Sequence, residues 1–182
     1  MATHVIVLAA GAGTRMLSDQ PKVLHEIAGA PMFIQSLVSA AELDGKRVLV
    51  VGHGAQEVAS IAKIHDDSIV IAEQKEQLGT AHAVVAAAEA LTDAEGDTVV
   101  LLGDTHFIRP ETLKRMQSVR ESGADIVFLG FSPADPAHYG RMVTDGDQLL
   151  RIVEWKEATE AERAITLCNA GVVMAATDTL LR

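Results

Sequence analysis

The sequence predicts an α/β domain with a mostly parallel sheet, on three observations. Short apolar, β-branched runs recur through the first two-thirds of the chain, and a stretch with helical character separates each from the next. The runs are continuous rather than alternating, as in strands covered on both faces. The chain has 182 residues, 48% of them hydrophobic and 22% charged, enough for one domain with a self-sufficient core.

The elements follow in order. Val5 to Leu8 is the first strand. Pro31, a residue suited to a first helical turn, opens a helix running to about Ala41. Val48 to Val51 is the second strand, and Gln56 to about Ile64 the helix after it. Ser68 to Ile71 is a weaker strand. Thr80 to about Leu91 is rich in alanine, the strongest helix former. Val99 to Leu102 is again a strand, followed by a helix from Glu111 to Glu121 just after Pro110. Asp125 to Phe131 is the fifth strand. The pattern then changes. Met142 to Thr144 and Leu149 to Val153 flank Asp145-Gly146-Asp147, the signal of a β-hairpin. Glu157 to Ala164 reads as a short exposed helix and Val172 to Met174 as one more strand. The chain shows no internal repeat.

Composition removes several classes. Fifteen Lys and Arg against 25 Asp and Glu give a net charge of −10, which argues against a nucleic-acid binder. No apolar run approaches the ~18 residues of a membrane span. Cys168 stands alone and has no disulfide partner within the chain, which points to a reducing compartment. The start Met-Ala-Thr-His lacks the basic region of a secretory signal, so a cytoplasmic protein is expected.

Open α/β sheets bind ligands outside the carboxyl ends of their strands. Ala9-Ala10-Gly11-Ala12-Gly13-Thr14-Arg15 follows the first strand, and Gly103-Asp104 follows Leu102. Gly11 and Gly13 permit a tight turn whose exposed N–H groups can hold an anion. Arg15 and Lys22 supply the cations that a phosphate ligand needs in an acidic protein. A dinucleotide fingerprint fails, because Met16 stands at its third glycine and Val50-Val51-Gly52 carries no acid for a ribose. No segment fits the phosphate loop G-x-x-x-x-G-K-[ST]. The side-chain amide of Gln74 can pair with the edge of a base, and Gly79-Thr80 either serves the same ligand or simply starts a helix. Asp104 is placed to hold Mg²⁺ or is a solvated turn residue. Glu154 and Asn169 read from residue type alone as a surface carboxylate and a turn residue as readily as ligand contacts. Cys168 reads as packing. His25, His53 and His82 lack metal-site spacing.

Leu8-Ala-Ala-Gly-Ala-Gly-Thr-Arg-Met16, Ser18, Pro21-Lys-Val-Leu-His25 and Gly29-Ala-Pro-Met32 together resemble the signature of sugar-phosphate nucleotidyltransferases. Within them the chain most resembles the uridylyltransferase domain of the bacterial bifunctional N-acetylglucosamine-1-phosphate uridylyltransferase/glucosamine-1-phosphate acetyltransferases, from about Val5 to about Ala175. The resemblance implies a Rossmann-like, mostly parallel sheet sandwiched by helices (the nucleotide-diphospho-sugar transferase fold) with a β-hairpin excursion near 142–153. It implies UTP and N-acetylglucosamine 1-phosphate as substrates and Mg²⁺ as cofactor. By the same resemblance Arg15 and Lys22 serve catalysis and Asp104 is a metal ligand. Leu8, Ala9, Gly11, Gly13, Lys22, Gln74, Gly79 and Thr80 bind nucleotide, while Gly140, Glu154 and Asn169 bind sugar. The sequence departs from the family at His106, where Pro is usual, and at Trp155, where His is frequent.

The family's domain continues past Arg182 through an Asn-Asn-Ala-Gln-Gly-like segment with a second metal ligand, and then into a β-helix that mediates trimerisation. Residues 1–182 are therefore expected to be a uridylyltransferase domain short of its C-terminal end, and acetyl transfer and trimerisation are not carried over. Two alternatives stand beside UMP transfer: a nucleotide-binding fragment with little or no turnover, and a nucleotidyltransferase for another sugar 1-phosphate.

Overall fold

The computed structural model describes residues 1–11, 13, 16, 18, 20–105 and 107–181. Strand β1 (Thr3–Ala9) leads through a 3-10 turn at Lys22–Leu24 to a small hairpin, β2 (Glu26–Ile27) and β3 (Ala30–Pro31). Helix α1 (Met32–Ser39) follows, then β4 (Arg47–Val51), α2 (Ala55–His65), β5 (Val70–Glu73) and α3 (Thr80–Ala86). Next come β6 (Asp97–Leu102), α4 (Pro110–Glu121), β7 (Ile126–Phe131), β8 (Arg141–Asp145), β9 (Gln148–Val153), α5 (Glu160–Arg163), β10 (Cys168–Ala176) and α6 (Thr177–Leu180).

The chain divides into two compact units, Met1–Val127 with Val173–Arg182, and Phe128–Val172. In the first, the strand order β5-β4-β1-β6 is parallel throughout, and Val173–Ala176 of β10 add antiparallel to β6. The expected α/β class with a mainly parallel sheet is what this unit forms. β1 is central, with Val5 opposite Arg47 on one side and Val99 on the other. Its side chains alternate between faces. Ile6, with Val48, Val50 and Val100, packs against Ala83, Val84, Ala87 and Leu91. Val5 and Val7 point the other way and are equally buried, so the apolar run is continuous because both faces are covered.

In the second unit β8 and β9 form the expected hairpin, with Arg141 opposite Val153 and a bulge near Val143/Thr144. Cys168 of β10 pairs with Arg141 and is buried, as expected of packing.

Several boundaries depart from the sequence reading. The third strand starts at Val70, not Ser68, because the Ser68 N–H and hydroxyl both donate to the Asp66 carboxylate at 2.9 and 2.6 Å. That local turn competes with the ladder. The alanine-rich stretch is one helix only to Ala86. Ala87 and Ala88 then bond three residues back, to Val84 and Val85, and Glu89–Leu91 is a separate 3-10 turn. The exposed helix shortens to Glu160–Arg163, because Thr159 caps it with Glu162 in a reciprocal capping box. The last strand is longer than Val172–Met174. The β2–β3 hairpin, the turn at Lys22–Leu24 and α6 carry no strong apolar period, and the sequence did not announce them. Among the described residues no helix is long and apolar enough to cross a membrane.

Candidate active site

A cavity of about 530 Å³ lies in the first unit, at the carboxyl ends of its strands. Leu8, Ala10, Gly11, Gly13 and Met16 come from the end of β1 and the turn after it. Lys22 and Val23 come from the 3-10 turn. Gln74, Gln77, Gly79, Thr80 and Ala83 come from the β5–α3 connection and α3, and Leu102 and Asp104 from the end of β6. The parallel sheet thus brings together residues far apart in sequence.

The geometry explains the glycines. Gly13 adopts φ +61°, and a Cβ there would lie 2.5 Å from Lys22 Cβ. The chain needs a residue without a side chain to pass over Lys22. Lys22 Nζ in turn donates to Asp104 Oδ2, the two side chains being 36% and 34% exposed. Such a pair is screened and adds little to stability; its value is placement of opposite charges at one cavity. Ser36 Oγ donates to Leu102 O at 3.0 Å and anchors the strand end just before Gly103-Asp104.

Asp104 offers a hard oxygen donor at the cavity wall. Among the described residues no group of three His, Cys, Asp or Glu could hold a metal ion. A single carboxylate suits Mg²⁺, which is commonly held by one or two carboxylates with waters and substrate phosphates. Asp104 therefore fits the metal that the resemblance implies.

The opposite wall is held by amides. Gln77 Nε2 donates to Ala10 O at 3.1 Å, tying the β5–α3 connection to the glycine turn. Gln74 lines the cavity although it is only 6% exposed. Its Nε2 lies 3.0 Å from Gly79 O and 3.1 Å from His82 Nδ1. Gly79 takes φ +102° and ψ −178°, a combination open essentially to glycine alone. Thr80 is the first residue of α3.

Within the second unit Gly140, Glu154 and Asn169 come together. Asn169 N–H donates to Gly140 O at 2.9 Å, and a Cβ on Gly140 would meet Glu154 Oε1 at 3.2 Å. The Asn169 side chain accepts from Gly171 N–H at 2.9 Å, so its carbonyl oxygen already serves a turn. Arg141, 1% exposed, supports the segment before Gly140. Its guanidinium donates to the carbonyls of Pro136, Ala137, Tyr139 and Arg163. The guanidinium carbons of Arg141 and Arg163 sit 4.9 and 4.8 Å from the centroid of the Trp155 ring. Trp155 packs within this unit.

Of the residues singled out from sequence, Leu8, Gly11, Gly13, Lys22, Gln74, Gly79, Thr80 and Asp104 line one cavity. Ala9 is 1% exposed and is not among the residues that line it. Thr14, Arg15 and His106 lie outside the described residues. Sequence reasoning missed Ala10, Met16, Val23, Gln77, Ala83 and Leu102 as lining residues. Gln77 had a signal, its place between Gln74 and Gly79; the others have apolar side chains that nothing distinguishes from core.

Residues 5–166 match the family model described as MobA-like NTP transferase domain. Over 177 residues the chain is 58% identical to the "Bifunctional protein GlmU" of Cereibacter sphaeroides, covering 97% of this chain and 39% of that protein. Over 174 residues it is 57% identical to the protein of the same name from Roseobacter denitrificans, covering 95% and 38%. It thus spans about two-fifths of the length of these relatives. Among solved structures, the inositol-1-phosphate CTP transferase from T. maritima superposes with a TM-score of 0.78 at 22% identity, covering 97% of this chain and 71% of that one.

Proposed function

The chain belongs to the MobA-like NTP transferase domain family, and from that premise we propose that it transfers UMP from UTP to N-acetylglucosamine 1-phosphate. The products are UDP-N-acetylglucosamine and pyrophosphate. One observation carries the reading: a single cavity joins a glycine turn, a Lys–Asp pair and the amides and hydroxyl of Gln74, Gln77 and Thr80. The identity to the bifunctional relatives supports the choice of substrates.

An oxygen of the sugar 1-phosphate attacks the α-phosphorus of UTP. The bond from that phosphorus to the bridging β-oxygen breaks, and pyrophosphate departs in line. The attacking phosphate is already ionised, so no general base is required. The protein positions two polyanions and neutralises their charge. Lys22 Nζ faces the triphosphate as a point charge, with Arg15 as its proposed partner. The glycine turn brings backbone close to the phosphates. Gln74, Gly79 and Thr80 take the base, with backbone at Leu8 and Ala9 beside it; Gly140, Glu154 and Asn169 take the sugar. Asp104 would hold Mg²⁺, which would supply positive charge to neutralise phosphate oxygens.

The test is pyrophosphate release from UTP and N-acetylglucosamine 1-phosphate with Mg²⁺, using Asp104→Ala as control. Release that the substitution abolishes is expected. A folded chain that releases no pyrophosphate, or releases it equally in the control, overturns the reading.

A further inference from the structure

We infer that His82 is a positioning residue: with the Gly79 carbonyl it locks the Gln74 amide in the orientation that faces a nucleobase with its oxygen, and so makes the cavity prefer uracil to cytosine. This rests on the reading that the cavity takes a uridine nucleotide.

The argument is one of hydrogen-bond valence. Gln74 is buried, and its amide nitrogen approaches Gly79 O at 3.0 Å and His82 Nδ1 at 3.1 Å. A carbonyl oxygen only accepts, so the group facing Gly79 must be the NH₂. That group has two hydrogens. One goes to Gly79 and the other to His82, whose Nδ1 must then carry a lone pair and whose proton must sit on Nε2. Both donors are committed inward. Among the described residues no hydrogen-bond partner meets Oε1, and Gln74 lines the cavity. The amide therefore offers a ligand an acceptor. Uracil answers with its N3–H, whereas cytosine in the same seat presents the lone pair of its N3. An unpaired buried polar contact is what separates two ligands of equal shape.

His82 is what keeps the amide from turning. The Gly79 carbonyl is held in place by a glycine-only backbone conformation, but one bond leaves the amide free to rock about it; the second locks it. His82 is not among the residues that line the cavity, so its effect on specificity is indirect.

The test measures the Kd of UTP and of CTP by calorimetry for the parent chain, His82→Phe and His82→Asn. Phenylalanine keeps the ring and lacks the acceptor. Asparagine restores an acceptor near the position of Nδ1. The parent is expected to prefer UTP. His82→Phe should erode that preference by about three- to tenfold, the worth of one neutral hydrogen bond, while His82→Asn should keep most of it. ¹⁵N shifts of the imidazole should show Nδ1 unprotonated at pH 7.5. A parent that binds neither nucleotide removes the uridine reading and this inference with it. A parent that prefers UTP, with the preference intact in His82→Phe, removes the inference alone. Should His82→Phe fail to fold, the imidazole spectrum and His82→Asn decide: a proton on Nδ1, or loss of preference in His82→Asn, overturns it.

Discussion

Gly11 and Gly13 stand two residues apart in one turn, yet the structure assigns them different constraints. At Gly13 the backbone is at φ +61°, and an added Cβ would lie 2.5 Å from Lys22 Cβ and 3.3 Å from Lys22 Cα and N. Gly13→Ala therefore meets two penalties. The left-handed conformation costs an L-residue about 1–2 kcal/mol, and overpacking costs about 1–3 kcal/mol. The crowded atoms are Lys22 Cβ, Cα and N, which move only with the backbone, so the full sum applies, about 2–5 kcal/mol. For a chain of this length that corresponds to a fall in Tm of roughly 4–20 °C. Because relieving the contact moves Lys22 away from Asp104, pyrophosphate release should fall as well. Gly11 is not among the positive-φ residues, and among the described residues no atom lies within 4 Å of the place its Cβ would take. Gly11→Ala should leave Tm within about 1 °C, as for an unconstrained surface change. Its methyl group enters the cavity wall, so UTP affinity should still fall. Thermal unfolding and UTP titration of both variants make the comparison. Equal Tm values for the two variants would refute the close-approach argument, and full UTP affinity in Gly11→Ala would remove the glycine turn from the ligand site.

Lys22→Ala should lower the rate of pyrophosphate release by about 10²–10³, as for one lost transition-state donor; a rate within threefold of the parent removes Lys22 from the mechanism. Arg141→Met leaves the carbonyls of Pro136, Ala137 and Tyr139 without their donor. At about 1 kcal/mol each, urea denaturation followed by Trp155 fluorescence should show a loss of about 3 kcal/mol; a loss under about 1 kcal/mol contradicts the role. The Thr159 hydroxyl and backbone N–H, then Arg151, push the Glu162 carboxyl down to about 2. A depressed carboxyl contributes stability above its unfolded pKa and loses it as pH falls through the folded one. The α5 cap should therefore weaken from about pH 4.5 down to about 2. An NMR titration should place the Glu162 midpoint near the lower figure, and Thr159→Val should raise it; an unmoved midpoint would count against the capping box.

The parallel sheet was legible because its evidence is local and repeated. Val5 to Leu8, Val48 to Val51 and Val99 to Leu102 are each apolar on both faces, and the structure buries each on both faces. The β2–β3 hairpin was not legible, because strands of two residues have no period to read. The end of α3 was hidden for a different reason: alanine propensity favours continuation, whereas the backbone tightens into a 3-10 turn that packs Leu91 inside. At the site, charged and glycine positions could be read from chemistry and spacing. The bond from Gln77 to Ala10 O could not, since it joins residues 67 apart through a fold that had first to be known. The tautomer of His82 is likewise a property of contacts, not of composition.

The position of β1 has a consequence for folding. This strand occupies the middle of the parallel sheet, and its two neighbours are made much later in the chain: Val5 pairs with Arg47 and with Val99. Local contacts cannot complete it. A topology of this kind folds slowly, since loop closure precedes any gain from pairing. During synthesis from the N-terminus β1 can acquire β4 on one side while its other edge stays open until Asp97–Leu102 has emerged. Through that interval an edge of Val, Ile and Leu, apolar on both faces, is available to other chains. Nascent or truncated chains ending before Asp97 should thus be far more prone to aggregate than chains that include β6, and the growing polypeptide has most need of a chaperone over that interval.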